Sequence, residues 1–268
     1  MTKAVRMMEE NVSLCDVLIY VIDSRAVKSS INPVLNRFTL DKRVVYVFNK
    51  CDLVENDDLN RWIKEFENEG KKTVKTCGTS SDCRDIAVAI KAVYKDVLDK
   101  YASKGVKKHI RAMICGIPNS GKSTIINSMR KKASAITGDK AGVTRGKQWL
   151  SLDSQIDLLD TPGTLWGKFD DQTVAKHLAF IGSISDDVLD SVELAIEFIK
   201  EGIENFSEKL SERYSVNTDN EPIEILENIA LKRGLKVKGG EPDIERTAKT
   251  LIDDFRKGRL GKIMLEKV

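Results

Sequence analysis

The sequence predicts an α/β protein: a mostly parallel, Rossmann-like sheet followed by an all-α C-terminal domain. Three observations predict it. Two continuous apolar runs, residues 17–22 ending at Asp23 and 44–48 ending at Asn49, have the composition of parallel strands buried on both faces. Helical spacing separates these runs from each other and from a further strand at 110–115, as expected for a parallel sheet with right-handed crossovers. Beyond about Asp171 no strand signal remains, while apolar residues at helical spacing continue.

Taken in order, residues 32–39 form a short helix. Residues 58–69 form a second, with Leu59, Trp62, Ile63 and Phe66 on its apolar face. Residues 72–76 are a weaker strand, and 86–101 repeat apolar residues at intervals of three and four. The polar, basic stretch 104–108 around Gly105 is a linker. Strand 110–115 runs directly into a glycine-containing loop, with a helix starting over 124–130. Residues 148–152 and 156–159 form an antiparallel hairpin that ends at Asp160. Helices are expected over 188–203, 222–232 and 243–256. The expected domains are 1–170 and 171–268, without internal repeats or low-complexity tracts.

A chain of 268 residues with 41% hydrophobic residues and mean hydropathy −0.29 suffices for packed cores. Its longest apolar run falls far short of the roughly 20 residues of a membrane span, and no signal-peptide segment is legible at the N-terminus. Five cysteines (Cys15, Cys51, Cys77, Cys83, Cys115) form no CxxC pair, which reads as reduced thiols of a cytoplasmic protein. The net charge is only +3 but polarised: 13 acidic against 3 basic residues over 186–227, then 11 basic against 6 acidic over 232–268. Such a surface can orient a protein on an anionic partner; a solvated charged surface without a partner is the alternative. Two separated histidines, His109 and His177, make no metal site.

The chemistry lies in three motifs. Gly116-Ile117-Pro118-Asn119-Ser120-Gly121-Lys122-Ser123 matches GxxxxGK[ST]. Its glycines allow successive N–H groups to form a nest for phosphate oxygens, and the following helix N-terminus adds partial positive charge. Pro118, Asn119, Ser120, Gly121, Lys122, Ser123 and Thr124 are therefore expected to bind a nucleotide. Lys122 supplies charge to the β- and γ-phosphates and Ser123 a hydroxyl to magnesium. Asp160-Thr161-Pro162-Gly163 is a DxxG motif 37 residues beyond Ser123: Asp160 would hold magnesium through a water, and the Gly163 N–H would meet the γ-phosphate. In Asn49-Lys50-Cys51-Asp52, the Asp52 carboxylate can accept from guanine N1–H and the exocyclic amine, where adenine offers neither donor. Lys50 would lie along the base and Asn49 brace the loops. The base-backing loop is either Thr76-Cys77-Gly78 or residues 78–80. Thr144, in the glycine-containing polar stretch 138–147, is the candidate switch threonine on magnesium.

An ordinary GTPase presents the phosphate loop, then DxxG, then NKxD. Here NKxD comes first, so the chain reads as a circularly permuted GTPase acting on GTP/GDP with magnesium. Such loops all leave the carboxyl ends of strands, so cutting the ring of connections elsewhere leaves the site in place. Thr164 follows Gly163 where Ras-like enzymes carry a water-orienting glutamine, so hydrolysis should be slow without help. Asn119 offers a potassium ion as a substitute source of positive charge; Lys122, Thr144 and Asn119 are the candidate catalytic residues.

Together these residues resemble the YlqF/RbgA family of circularly permuted GTPases. Asp23-Ser24-Arg25 with Ser29-Ser30-Ile31-Asn32-Pro33 is similar to the family's DAR…SSxNP segment, residues 163–169 to its G-I-L-W-P-K-F stretch, and Lys232-Arg233-Gly234…Gly239-Gly240 to its KRG…GG signature. The resemblance implies a factor for large-ribosomal-subunit assembly. It would be a cytoplasmic monomer that binds rRNA through its helical domain and is stimulated by the subunit, with neither DNA nor membrane as partner. Two departures stand out. Thr164 replaces a usually hydrophobic residue, and Met1 falls where the family's W-[FY]-P-G-H-M element, with its proposed hydrolytic histidine, would end. Two other readings stay open: a nucleotide-dependent binding switch with negligible hydrolysis, and a permuted GTPase serving another RNA particle.

Overall fold

The structure, a computed structural model, describes residues 3–78, 83–137, 149–152, 154–166 and 169–268. Its sheet has six strands: β1 (Val17–Asp23), β2 (Arg43–Asn49), β3 (Lys72–Lys75), β4 (Ile110–Gly116), β5 (Trp149–Ser151) and β6 (Ile156–Leu159). Their order is β3-β2-β1-β4-β6-β5. The first five in that order are mutually parallel, and β5 pairs antiparallel with β6, Leu150 opposite Leu158.

The central strands are apolar throughout because both faces are covered. On one face Val17, Ile19, Val21, Val45, Val47, Ala112 and Ile114 pack against α4 (Arg84–Val93) and α6 (Lys122–Thr137). On the other, Leu18, Tyr20, Ile22, Tyr46, Phe48 and Met113 meet α1 (Lys3–Val12), α2 (Pro33–Thr39) and α3 (Asn56–Asn68). The alternation is the two-residue period of a strand. Asn32 caps α2, its side chain accepting from the Val34 N–H at 2.9 Å with Pro33 in the first turn, as expected of Asn-Pro at a helix start.

Three parts of the chain differ from the sequence expectations. The helix expected over 86–101 is two, α4 and α5 (Lys95–Ala102), broken at Tyr94; the Tyr94 hydroxyl donates to Asp16 Oδ1 at 2.7 Å. Helix α1, which the sequence reading does not anticipate, packs Met8 against the sheet. In the C-terminal segment α7 (Gln172–Phe180) and α9 (Ser207–Tyr214) join the expected α8 (Ser191–Asn205), α10 (Pro222–Arg233) and α11 (Ile244–Arg256). Both added helices are short, with too few turns for periodicity to stand out. Among the described residues beyond β6, the only β pairing is the isolated bridge Lys236–Pro242.

The C-terminal helices share one core built on Leu178, Phe180, Phe198, Leu226, Leu251 and Phe255, and Ala26 and Ile117 of the sheet part belong to it as well. Polar ties reinforce that contact. His177, at 4% exposure, lies between Glu266 (Nδ1 to Oε1 2.9 Å) and Glu201 (Nε2 to Oε1 3.1 Å). Glu266 in turn accepts from the Ser29 N–H at 3.1 Å and from the Ser29 hydroxyl. Burial opposes the charge on His177, but hydrogen bonds to the two carboxylates raise it to about 9. The folded value lies above the ordinary 6.5, so the stabilisation is complete below about pH 6.5 and is lost as pH rises through about 9. Thermal unfolding followed across that window should show a decline worth up to about 3 kcal/mol, and His177→Gln should flatten it.

Candidate nucleotide site

The topology dictates where a ligand can sit. β1 is followed on one side by β2 and β3 and flanked on the other by β4, so the connections after β1 and β4 diverge and open a crevice at their carboxyl ends. β2 ends at Asn49, β4 at Gly116, and β6 one residue before Asp160. The three motifs thereby leave the same edge of the sheet despite their permuted order.

A cavity of about 700 Å³ lies there, lined by Lys50, by Pro118, Asn119, Gly121, Lys122, Ser123 and Thr124, and by Asp160, Thr161, Pro162 and Gly163. The loop backbone is shaped by its sequence. Gly116 has φ +147, and a Cβ on it would lie 2.5 Å from the Val21 carbonyl oxygen, so strand β1 leaves room only for glycine. Asn119 (φ 55) and Gly121 (φ 94) are in the left-handed region with Ser120 between them, the alternation that turns N–H groups into an anion nest. Helix α6 begins at Lys122, and its first-turn N–H groups lack intrahelical acceptors. Opposite, a Cβ on Gly163 would lie 2.6 Å from Pro118 Cα and 3.0 Å from Lys122 Nζ, so the DxxG glycine is in direct contact with the phosphate loop.

Burial works against both charged groups. Lys122 Nζ donates to Ile117 O at 2.7 Å and Gly116 O at 3.3 Å, and burial pulls its ammonium down to about 8. A bound anion would favour the charged form. Burial raises the Asp160 carboxyl above its ordinary range, with Lys122 opposing. An ammonium, the Ser123 hydroxyl, the Asp160 carboxylate and a helix N-terminus form a donor set that suits a nucleotide's phosphates with magnesium, a hard ion that keeps several waters and needs few protein oxygens.

Asn49 and Ser120 brace the loops around this cavity. Asn49 Nδ2 donates to Ser120 O at 2.7 Å, and Asn49 Oδ1 accepts from the Gly78 N–H at 2.9 Å. Ser120 is buried, its hydroxyl donating to Ile117 O at 2.9 Å. The Thr76 N–H donates to Phe48 O at 2.9 Å and its carbonyl accepts from Cys51. Cys77 is half-buried, and Gly78 sits against the Thr124 and Ile125 side chains. Asp52 is exposed, in the 3₁₀ turn Cys51–Leu53, and is not among the residues lining the cavity. Thr144 and residues 79–80 lie outside the described residues.

Two groups escaped the sequence reading of the site. The first is Asp23, fully buried at the end of β1, whose carboxylate accepts from Arg25 Nε (3.0 Å) and Nη2 (2.8 Å) and from Lys50 Nζ (2.8 Å). Burial would raise this carboxyl, but Arg25 and Lys50 hold it well below the usual range. The signal was available: a carboxylate closing a buried strand at the binding edge of a sheet must have a partner. The second is Gly182-Ser183, just beyond α7. The Asn119 side-chain amide donates to Gly182 O at 2.5 Å, and the Ser183 hydroxyl donates to Pro118 O at 2.8 Å. Nothing in the sequence marks two small residues as partners of a loop more than sixty positions earlier.

A sequence-family profile described as "50S ribosome-binding GTPase" matches residues 111–229. Ribosome biogenesis GTPase A of Bacillus cereus is 37% identical over 269 residues, spanning 99% of this chain and 91% of that protein. The chain belongs to the ribosome biogenesis GTPase A (YlqF/RbgA) family. Ribosome biogenesis GTPase A of Thermotoga maritima is 28% identical over 99% of the chain and 91% of its own length. The crystal structure of GNP-bound YlqF from T. maritima superposes with a TM-score of 0.69 at 26% identity, over 99% of this chain and 98% of that one. The permuted order of motifs is thus the order of a circularly permuted GTPase fold.

Two substitutions test the geometry. Gly121→Ala would place a Cβ on the Asn49 amide from a backbone at φ +94; it should weaken guanine-nucleotide binding by roughly a hundredfold, read by titration calorimetry, while circular dichroism shows the fold retained. Asp23→Asn removes the partner of a buried guanidinium, at 1% exposure, and should lower urea-unfolding stability by about 3–5 kcal/mol.

Proposed function

We propose that this chain is a GTP-binding and GTP-hydrolysing factor for assembly of the large ribosomal subunit, with residues 1–170 as the GTPase unit and 171–268 as a helical unit that binds rRNA. The observation that carries the enzymatic part is the convergence of Lys122, Ser123, Asp160 and Gly163 on one cavity that Lys50 also lines. The ribosomal part rests on family membership and on the basic final segment of the sequence.

In this reading the loop N–H groups and Lys122 hold the β- and γ-phosphates, and Asp52 reads the guanine edge beside Lys50. Ser123, Asp160 and Thr144 hold magnesium, which when bound neutralises charge on the phosphates. Thr76, Cys77 and Gly78 back the base. Gly163, in contact with Pro118, senses the γ-phosphate through its N–H. Thr164 supports slow turnover by the chain alone. It is 2% exposed, its N–H donates to Gly116 O at 3.2 Å and its hydroxyl to Pro162 O at 3.2 Å, so it is occupied as a structural residue and cannot orient water. Stimulation by the ribosomal particle would then supply the missing positioning. A potassium ion at Asn119 would have to use Oδ1, because Nδ2 donates to Gly182; equal rates in sodium and potassium would remove the ion from the scheme. The reading is of a cytoplasmic monomer; among the described residues no helix is long and apolar enough to cross a membrane.

Co-sedimentation with large subunits under GDP, GTP and a non-hydrolysable analogue tests the role: binding should be strongest with the analogue, and nucleotide-independent failure to bind would remove the ribosomal function. Single-turnover hydrolysis should rise with added subunits, by about ten- to a hundredfold if positioning of water is what they add. Unchanged turnover would leave a nucleotide-dependent binding switch instead.

A further inference from the structure

The turn that presents Asp52 is held by three main-chain hydrogen bonds, and one of them comes from the far end of the chain. The Leu53 N–H donates to Lys50 O at 3.0 Å and the Cys51 N–H to Thr76 O at 3.4 Å; the third runs from the Ile263 N–H to Leu53 O at 3.0 Å. Ile263 belongs to a strap that follows α11 and crosses back over the sheet part. Successive residues of the strap enter different cores: Ile263 and Leu265 the helical one, Met264 the one on the sheet face. Sliding the strap would expose apolar surface on one side or the other. It is tied further on by the Leu265 N–H to Arg25 O at 2.8 Å and by Trp62 Nε1 to Glu266 O at 2.8 Å. At its start Gly258 (φ +71) backs Leu53, where a Cβ would lie 2.6 Å from Leu53 Cδ2. Leu53 is therefore gripped by its carbonyl and by its side chain, one residue from the carboxylate of Asp52.

We infer that the C-terminal strap is a positioning element for base recognition: Ile263 and Gly258 fix Leu53 and so aim Asp52 at the edge of the base. The inference rests on the base-reading role proposed for Asp52. One carboxylate that must meet two donors selects by geometry, so a loosened turn loses discrimination between bases. A strap that served only to hold the fold together would lower affinity for every nucleotide by the same factor.

The test is the ratio of GDP to IDP affinity in the full-length chain, measured by titration calorimetry; inosine lacks the exocyclic amine. Ile263→Pro removes the N–H and keeps an apolar ring, and should reduce the ratio roughly three- to tenfold. Ile263→Ala keeps the N–H and should leave the ratio unchanged. Gly258→Ala removes no strap donor, but at φ +71 it strains the start of the strap and forces a Cβ onto Leu53, and should also reduce the ratio; it decides alone if Ile263→Pro does not fold. An unchanged ratio in the deciding variant overturns the inference, as does an equal fall in Ile263→Ala, which would assign the effect to packing. Asp52→Asn separates the two layers. If it leaves the ratio unaltered, Asp52 does not read the base; if it lowers the ratio while the strap variants do not, only the role of the strap is lost.

Discussion

The buried carboxylate of Asp23 is the constraint on which the two halves of the molecule depend. It closes the central strand β1 with no access to water and is tolerated because Arg25 and Lys50 supply three charge-assisted hydrogen bonds. Desolvating such charges costs several kcal/mol per ion, which only close geometry and further hydrogen bonds offset. Those further contacts come from elsewhere in the chain. Arg25 lies 5.1 Å over the Phe255 ring and donates to Arg256 O at 3.3 Å and Ile181 O at 3.5 Å, so the guanidinium is satisfied only when the helical segment is docked. Lys50 adopts φ 58, a conformation that disfavours ordinary side chains, and is held in it by Asp23 and by the Asn119 carbonyl at 2.8 Å.

These contacts close into a ring. Asp23 joins Arg25 to Lys50, Lys50 reaches the Asn119 carbonyl, the Asn119 amide reaches Gly182 O, and Arg25 returns to Ile181 O. The phosphate loop, the NKxD lysine and the start of the helical segment therefore share one hydrogen-bonded circuit. Permutation adds a covalent connection to it, because the chain runs from Gly163 through Leu165 and Trp166, both packed against the helical core, into α7. A displacement of the DxxG segment in the proposed GTPase cycle has two routes to the helical segment, one along the chain and one through the loop. Two discrete arrangements of such a contiguous network are what coupling requires.

Much of this was legible in advance, for identifiable reasons. The runs at 17–22 and 44–48 announced central strands because burial on both faces removes the need for polar alternation. The phosphate loop was legible because Gly116, Gly121, Lys122 and Ser123 match GxxxxGK[ST] in one short stretch, although the atoms its glycines must clear belong to Val21 and Asn49 on other strands. The break at Tyr94 and helices α7 and α9 were not legible, since no Gly or Pro marks the first and short elements carry too few turns for their period to show.

The sequence by itself determined the strands, the three motifs and their permuted order, because those depend on residue type and spacing within a few positions. Tertiary structure alone decided that Asp23 pairs with Lys50, that Gly182 and Ser183 touch the phosphate loop, and that a strap ending the chain meets Leu53. The first joins two side chains 27 positions apart; the others run through main-chain carbonyls or N–H groups, which every residue carries whatever its side chain. Backbone partners leave no mark in composition or periodicity; they exist only once the sheet and the helices have been packed together.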